Sequence, residues 1–136
     1  MYELFEHTAD LGLRATAADL DTLFAEMGVC LLHSIVENAA DVRPETAVTI
    51  EVAGGDREYL LFDWLKELLT RFEAEHQLFA RFDVRVRPDG LTATAWGEPF
   101  DPARHSLNHE VKAVTYHELK VELVDGEWLA EVIVDI

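Results

Sequence analysis

The sequence predicts a single α+β domain in which two long helices pack on mixed or antiparallel sheet. Two segments repeat apolar residues every three or four positions, and several shorter segments alternate apolar with polar residues. The predicted elements follow the order ββαβαββ, then an irregular link, then ββ. At 136 residues the chain has the size of one domain, so we expect residues 1–136 to fold as one unit.

Two helices are predicted from the apolar residues that recur at helical spacing. The first runs from Asp19 to Glu37 with Asp19 as its N-cap, and its apolar stripe consists of Leu20, Leu23, Phe24, Met27, Leu31 and Ile35. The second follows the turn Gly54-Gly55-Asp56, and its stripe consists of Leu61, Trp64, Leu65, Leu68 and Phe72. Both stripes are expected to face the core, and Cys30 is expected to be a small core thiol.

Seven strands are predicted from alternation with a period of two. YELFE and LGLRATA precede the first helix, and TAVTIEVAG separates the two helices. RFDVRVR and LTATAW form one hairpin through PDG, and HELKVELV and EWLAEVIVDI form another through Asp125-Gly126. The side chains expected to point inward are those of Val48, Ile50, Val52, Phe82, Val84, Val86, Leu119, Val121 and Leu123. The irregular link runs from Gly97 to Lys112.

The charge of the chain bears on its partners. The 27 Asp and Glu residues exceed the 11 Lys and Arg residues and give a net charge of −16. Such a surface disfavours stable nucleic-acid binding, which depends on cationic side chains, but it favours a basic protein partner. Acidity that serves solubility alone is the competing interpretation. The single cysteine, the acidic N-terminus and the lack of a long apolar run predict a cytoplasmic protein without a membrane span.

Carboxylates mark both ends of the chain. HTAD places His7 and Asp10 between the first two strands, where the polar residues could equally serve as turn residues. VIVDI ends on Asp135 and Ile136, and an apolar last strand would hold Asp135 and the α-carboxylate of Ile136 in fixed positions. If Asp10 lies nearby, these anionic groups would repel unless a cation is present. Oxygen ligands of this kind suit calcium, magnesium or manganese.

Other polar residues give weaker indications of a site. Lys112, Tyr116 and His117 lie in EVKAVTYHELKVE, which by composition is a strand start. His105 and His109 are four residues apart, but nearby proline, serine and asparagine favour a loop over a helical zinc site. The sequence has no phosphate-binding loop, dinucleotide fingerprint, Cys-x-x-Cys pair or nucleophile elbow, so it does not support nucleotide binding by this chain.

Taken together, HTAD-LG, LLFDWLKELL, KAVTYHEL and the closing W-A-VIVDI resemble the archease family over nearly the whole chain. The resemblance implies a non-enzymatic protein cofactor of the GTP-dependent RNA ligase that joins tRNA halves and repairs RNA ends. Such a cofactor promotes transfer of GMP from GTP to the active-site histidine of the ligase, which permits multiple turnover, and it can widen nucleotide use.

The same resemblance implies a divalent cation, typically calcium in structures, bound by Asp10, Asp135 and Ile136. Lys112 and His7 are the next candidates, with Lys112 expected to contact the ligase or its nucleotide and His7 to support the site.

Two alternatives remain at the level of sequence. A metal-dependent hydrolase could use His7, Asp10 and His117, but it would need an open coordination position and a general base. A general chaperone or adaptor for RNA-modifying enzymes would need a large exposed apolar patch, whereas helix stripes and strand faces account for the apolar residues.

Overall fold

The computed structural model describes residues 1–7 and 10–136, and in these residues the chain forms eight strands, two α-helices and one turn of 3-10 helix. In chain order they are β1 (Tyr2–His7), β2 (Asp10–Ala17), α1 (Leu20–Ile35), the 3-10 turn (Ala39–Asp41), β3 (Thr46–Ala53), α2 (Arg57–Glu75), β4 (Gln77–Arg87), β5 (Gly90–Pro99), β6 (Ala113–Val114), β7 (Lys120–Val124) and β8 (Glu127–Asp135). The predicted α+β class is confirmed.

The strands form two sheets rather than one. The larger sheet has the order β1-β2-β8-β6, and β7 pairs with the earlier part of β8, whereas β6 pairs with Val134 and Asp135 at its end. The smaller sheet has the order β3-β5-β4. All pairings between these strands are antiparallel, so the antiparallel alternative of the prediction is the correct one. Alternation identifies the buried face of a strand but not its neighbours, which is why the sequence did not separate the sheets.

Helix α1 lies between the sheets, because it contacts β1, β2 and β8 of the larger sheet and β4 of the smaller one. As predicted, Asp19 caps this helix and accepts a hydrogen bond from the amide of Thr22 at 2.8 Å. The indole of Trp64 in α2 donates to the carbonyl of Phe24 in α1 at 2.9 Å, and both side chains are fully buried. The core therefore surrounds α1 and includes the predicted thiol of Cys30, whose pKa is raised by burial to about 12.

Several predicted boundaries and faces were wrong. Helix α1 ends at Ile35 rather than Glu37, and β4 begins at Gln77, ahead of the predicted RFDVRVR. The last hairpin begins at Lys120, because the residues before it form a turn. Leu123 does not point inward but is 58% exposed. Alternation placed Leu123 on the buried face, but β7 pairs only with β8 among the described strands, and this end of it extends beyond the core.

Gly97 in β5 sits where a neighbouring strand comes very close. A Cβ at this position would overlap the backbone carbonyl of Leu78, next to the irregularity between Phe79 and Arg81 in the β4–β5 pairing. Gly97→Ala is therefore expected to lower the free energy of unfolding by about 2 kcal/mol or more, as measured by urea denaturation. Gly55→Ala is the matched control, since its Cβ would lie 3.5 Å from the nearest backbone oxygen, an ordinary contact. Equal urea midpoints for Gly97→Ala and Gly55→Ala would contradict the close approach of Gly97 to the Leu78 carbonyl.

Candidate functional site

The two carboxylate motifs meet at one edge of the larger sheet. Asp10, the first residue of β2, pairs directly with Asp135, the last residue of β8. His7 of β1 pairs with Asp10 on one side, and Ala113 of β6 pairs with Asp135 on the other. The ends of four adjacent strands thus form a single row that contains residues from HTAD, VIVDI and KAVTYH.

Asp10 and Asp135 are placed to act together. Side chains that face each other across an antiparallel pair lie on the same face of the sheet, with Cβ atoms about 4.5–5.5 Å apart. Asp10 is partly buried, whereas Asp135 is exposed. Two carboxylates at this spacing repel each other, and a hard divalent cation that accepts oxygen ligands would convert that repulsion into binding energy. These two carboxylates are oxygen ligands of the kind that the predicted cation would require.

A third oxygen group is needed to complete such a site. In residues 1–7 and 10–136, no three Asp, Glu, His or Cys side chains come close enough together to bind a metal ion. Ile136 follows Asp135 directly, and its partly buried side chain packs against the core, so the backbone is anchored there. The α-carboxylate of Ile136 thus stays the predicted third ligand. Thr8, Ala9 and the side chain of His7 lie outside the described residues, and so does the prediction for His7.

Lys112 lies beside the paired aspartates. Its backbone amide donates a hydrogen bond of 2.8 Å to the carbonyl of Asp135, and its side chain is exposed. This bond brings the KAVTYH segment to the end of β8. The exposed ammonium group of Lys112 is available to an anionic group of a partner that approaches this edge of the sheet.

His117 does not belong to this row. From Ala113 the chain runs antiparallel to β8 and away from Asp135, so that the amide of Thr115 already bonds to the carbonyl of Ile133 at 3.0 Å. His117 lies beyond Thr115, in the turn that precedes β7. The strand pairing therefore does not bring His117 to the end of the sheet where Asp10 lies, as the predicted hydrolase site would require.

A hydrogen-bonded network around the buried Glu98 of β5 was not predicted from the sequence. Glu98 is only 5% exposed and accepts hydrogen bonds from the amide of Arg43 at 2.7 Å and from the guanidinium of Arg104. The amide of Asp101 donates to Nδ1 of His105, so that Nε2 of His105 carries the proton and donates to Glu98 at 3.0 Å. Burial alone would raise the pKa of Glu98, but these donors outweigh it and lower the pKa to about 2.

This network explains how the link after β5 reaches the candidate site. Beyond His105 the link is hydrogen-bonded along the end of α1: Ser106 accepts from Glu37, and the amide of Asn108 donates to Ile35. The link then ends on the bond from Lys112 to Asp135. The link was predicted to begin at Gly97, but β5 continues to Pro99, and only the backbone after it is irregular. Arg104 and His105 bind Glu98 from six and seven residues away, whereas the bonds to Asn38 and Arg43 span 55 or more residues along the chain, beyond the reach of any local pattern.

The comparisons with known proteins agree with this architecture. The model of the Archease protein family matches residues 2–136. The chain is 44% identical to a protein archease of Methanopyrus kandleri, over 99% of each chain, and 40% identical to one of Pyrococcus furiosus, over 99% of this chain and 98% of the other.

Two solved structures have a similar fold. A solution structure of a Methanobacterium thermoautotrophicum protein has a TM-score of 0.82 and 32% identity, over 99% of this chain and 98% of the other. A crystal structure of a Thermotoga maritima archease, described as a possible chaperone, has a TM-score of 0.68 and 19% identity, over 100% of this chain and 98% of the other. The second likeness concerns the fold alone. With the family model and the relatives in agreement along its length, this chain belongs to the archease family.

Proposed function

We propose that the protein is a cation-binding activator of the GTP-dependent RNA ligase that joins tRNA halves and repairs RNA ends. The observation that carries this proposal is the direct pairing of Asp10 with Asp135 beside Lys112. Membership of the archease family supports the choice of partner. The site residues in this proposal are Asp10, Asp135 and the α-carboxylate of Ile136 for the cation, with Lys112 and His7 beside them.

The proposed partner matches the charge of the protein. A ligase that holds RNA needs a positive groove for the phosphate backbone. A protein of net charge −16 is attracted to such a groove, and the attraction orients it and speeds the encounter. The protein acts here as a protein partner in the cytoplasm and does not bind RNA stably by itself.

The step assisted is guanylylation of the ligase. The active-site histidine of the ligase attacks the α-phosphate of GTP, a phosphorus–nitrogen bond forms, and pyrophosphate leaves. A divalent cation, calcium or in its place magnesium or manganese, offsets negative charge on phosphate oxygens when it is bound. Asp10, Asp135 and the terminal carboxylate would hold such a cation at the edge of the sheet. Lys112 contacts an anionic group of the nucleotide or of the ligase and so helps to orient it. Because these contacts involve the phosphates and not the base, they are compatible with the use of nucleotides other than GTP by the ligase.

The proposal is tested by counting RNA joints formed per ligase when the ligase is limiting. The wild-type protein should raise this number well above one. Lys112→Ala should lower the rate at which RNA joints form by about tenfold or more. Arg85→Ala is the matched control, because Arg85 is an exposed cation in the other sheet. The protein without ligase should neither hydrolyse GTP nor join RNA. Turnover without a partner would favour the metal-dependent hydrolase instead, and an unchanged count with the wild-type protein would refute the proposal.

A further inference from the structure

Two tyrosines form an exposed aromatic patch at the start of α2. Tyr59 is 59% exposed and Tyr116 is 58% exposed. The ring of Tyr116 stacks on Phe62 with centroids 3.9 Å apart and an angle of 14°, and it meets Tyr59 edge to face at 5.6 Å. Tyr59, Asp63 and Tyr116 line an open cavity of about 350 Å³. We refer to Tyr59, Phe62, Asp63 and Tyr116 as the aromatic patch.

The patch is built from parts that hold each other in place. Tyr59, Phe62 and Asp63 are three and four residues apart and therefore share one face of α2. Phe62 is buried and provides the floor on which Tyr116 rests. Rings fixed in this way lose little conformational entropy on binding, and exposed tyrosines of this kind frequently contribute most to protein–protein affinity.

The charge of the patch selects among possible occupants. Exposed aromatic rings can stack on nucleobases, but the acidic chain repels the phosphates that accompany them. An arginine side chain fits the cavity better, since its guanidinium stacks on aromatic rings and forms paired hydrogen bonds with a carboxylate such as that of Asp63. Lys66 is exposed one turn further along α2 and does not line the cavity.

The patch is continuous with the candidate cation site along the chain. Lys112 and Ala113 contact Asp135, and Tyr116 follows only three residues after Ala113. Strand β6 also contacts α2, which carries the other members of the patch. A separation of three or four residues spans at most about 13 Å, so one protein surface can cover both places.

We infer that the aromatic patch is a docking surface for an arginine-bearing basic surface of a protein partner. This inference rests on the proposed function, under which the partner is the RNA ligase. Tyr59 and Tyr116 then supply affinity, and Asp63 pairs with the arginine. The row that contains Asp10 and Asp135 is thereby aligned with the active site of the ligase.

The test measures binding of the ligase from the same organism by calorimetry at low and high salt. Tyr116→Ala is expected to weaken binding about tenfold or more, and Asp63→Asn to weaken it several-fold while reducing its dependence on salt. Leu123→Ala is the control for exposed apolar surface, since Leu123 is 58% exposed and pairs with Trp128 near the start of β8, whereas the candidate cation site lies at the other end of that strand. Thermal melting identifies any variant that unfolds, and Asp63→Asn keeps the side-chain shape if Tyr116→Ala does not fold.

Each outcome has a separate meaning. Wild-type binding that both patch variants weaken supports the inference. Wild-type binding that neither folded variant weakens more than Leu123→Ala overturns the inference and leaves the proposed function intact. Absence of wild-type binding overturns the proposed function and the inference with it. A single-stranded RNA oligonucleotide that binds the wild type without ligase and is lost in Tyr116→Ala would identify the patch as a base-stacking platform and would also overturn the inference.

Discussion

Asp135→Asn is expected to raise the dissociation constant for calcium at least tenfold and to remove most stimulation of the ligase. The substitution keeps the shape of the side chain but removes one charge from the proposed ligands, and affinity for hard cations depends on ligand charge. Asp10→Asn should have the same effect, because the two residues pair directly. Isothermal titration with calcium measures the affinity. Asp125→Asn is the control, since Asp125 is an exposed aspartate in the turn between β7 and β8.

Thermal melting separates loss of the site from loss of the fold. Without calcium, Asp135→Asn should melt at or slightly above the wild-type temperature, because neutralising one of two facing carboxylates removes repulsion. With calcium, the wild type should gain stability and the variant should not. One glycine added after Ile136 tests the third ligand in the same titration, because it removes the α-carboxylate from that position. Unchanged calcium affinity in both aspartate variants would contradict the site.

Glu98→Gln is expected to lower the free energy of unfolding at neutral pH by about 3 kcal/mol, because it breaks a buried network and leaves the partners of Glu98 poorly satisfied. The pH dependence gives a sharper test. The pKa of Glu98 is about 2 in the folded protein, below its ordinary value of 4.5. The stability that it contributes is therefore fully present above about pH 4.5 and is lost as the pH falls through 4.5 towards 2.

Urea denaturation of the wild type and of Glu98→Gln between pH 7 and pH 2.5 measures the stability that the Glu98 carboxylate contributes at each pH. The difference in free energy of unfolding between the two proteins should be largest above about pH 5 and should decrease steadily below it. Glu45→Gln is the control, because Glu45 is 59% exposed and its ion pair with Arg43 spans 3.8 Å. A stability loss in Glu98→Gln that does not change with pH, or that is no larger than the loss in Glu45→Gln, would contradict the stabilising role of the network.

Local chemistry made the helices and hairpins predictable. The first apolar stripe ends with α1 at Ile35 and the second ends at Phe72, in the last turn of α2, and Asp19 and Asp56 cap the helices as residues of this type do. The turn Asp125-Gly126 sets the register of β7 and β8, with Asp125 in the left-handed conformation. These features depend only on residues close together in sequence.

The arrangement of the site depends on residues far apart in sequence. The patterns placed Asp10 between the first two strands and Asp135 at the end of the last one. Their pairing follows from sheet order, and only the family resemblance suggested that they share a site. Tyr116 was noted as one of several polar residues at a strand start, while its stacking on Phe62 spans two elements. Glu98 could not be distinguished from a surface glutamate, because its burial depends on the folding of the link back onto it and on Arg43, which is 55 residues away.

The most direct measurement of the central claim is the yield of covalent GMP on the ligase. Purified ligase with α-labelled GTP is incubated with divalent cation and with the wild-type protein at one tenth of the ligase concentration. The account predicts that labelled ligase accumulates beyond the amount of added protein, that Asp135→Asn gives little label, and that Asp125→Asn behaves as wild type. Labelling that is the same with and without the protein, in ligase shown to bind GTP, would contradict the account.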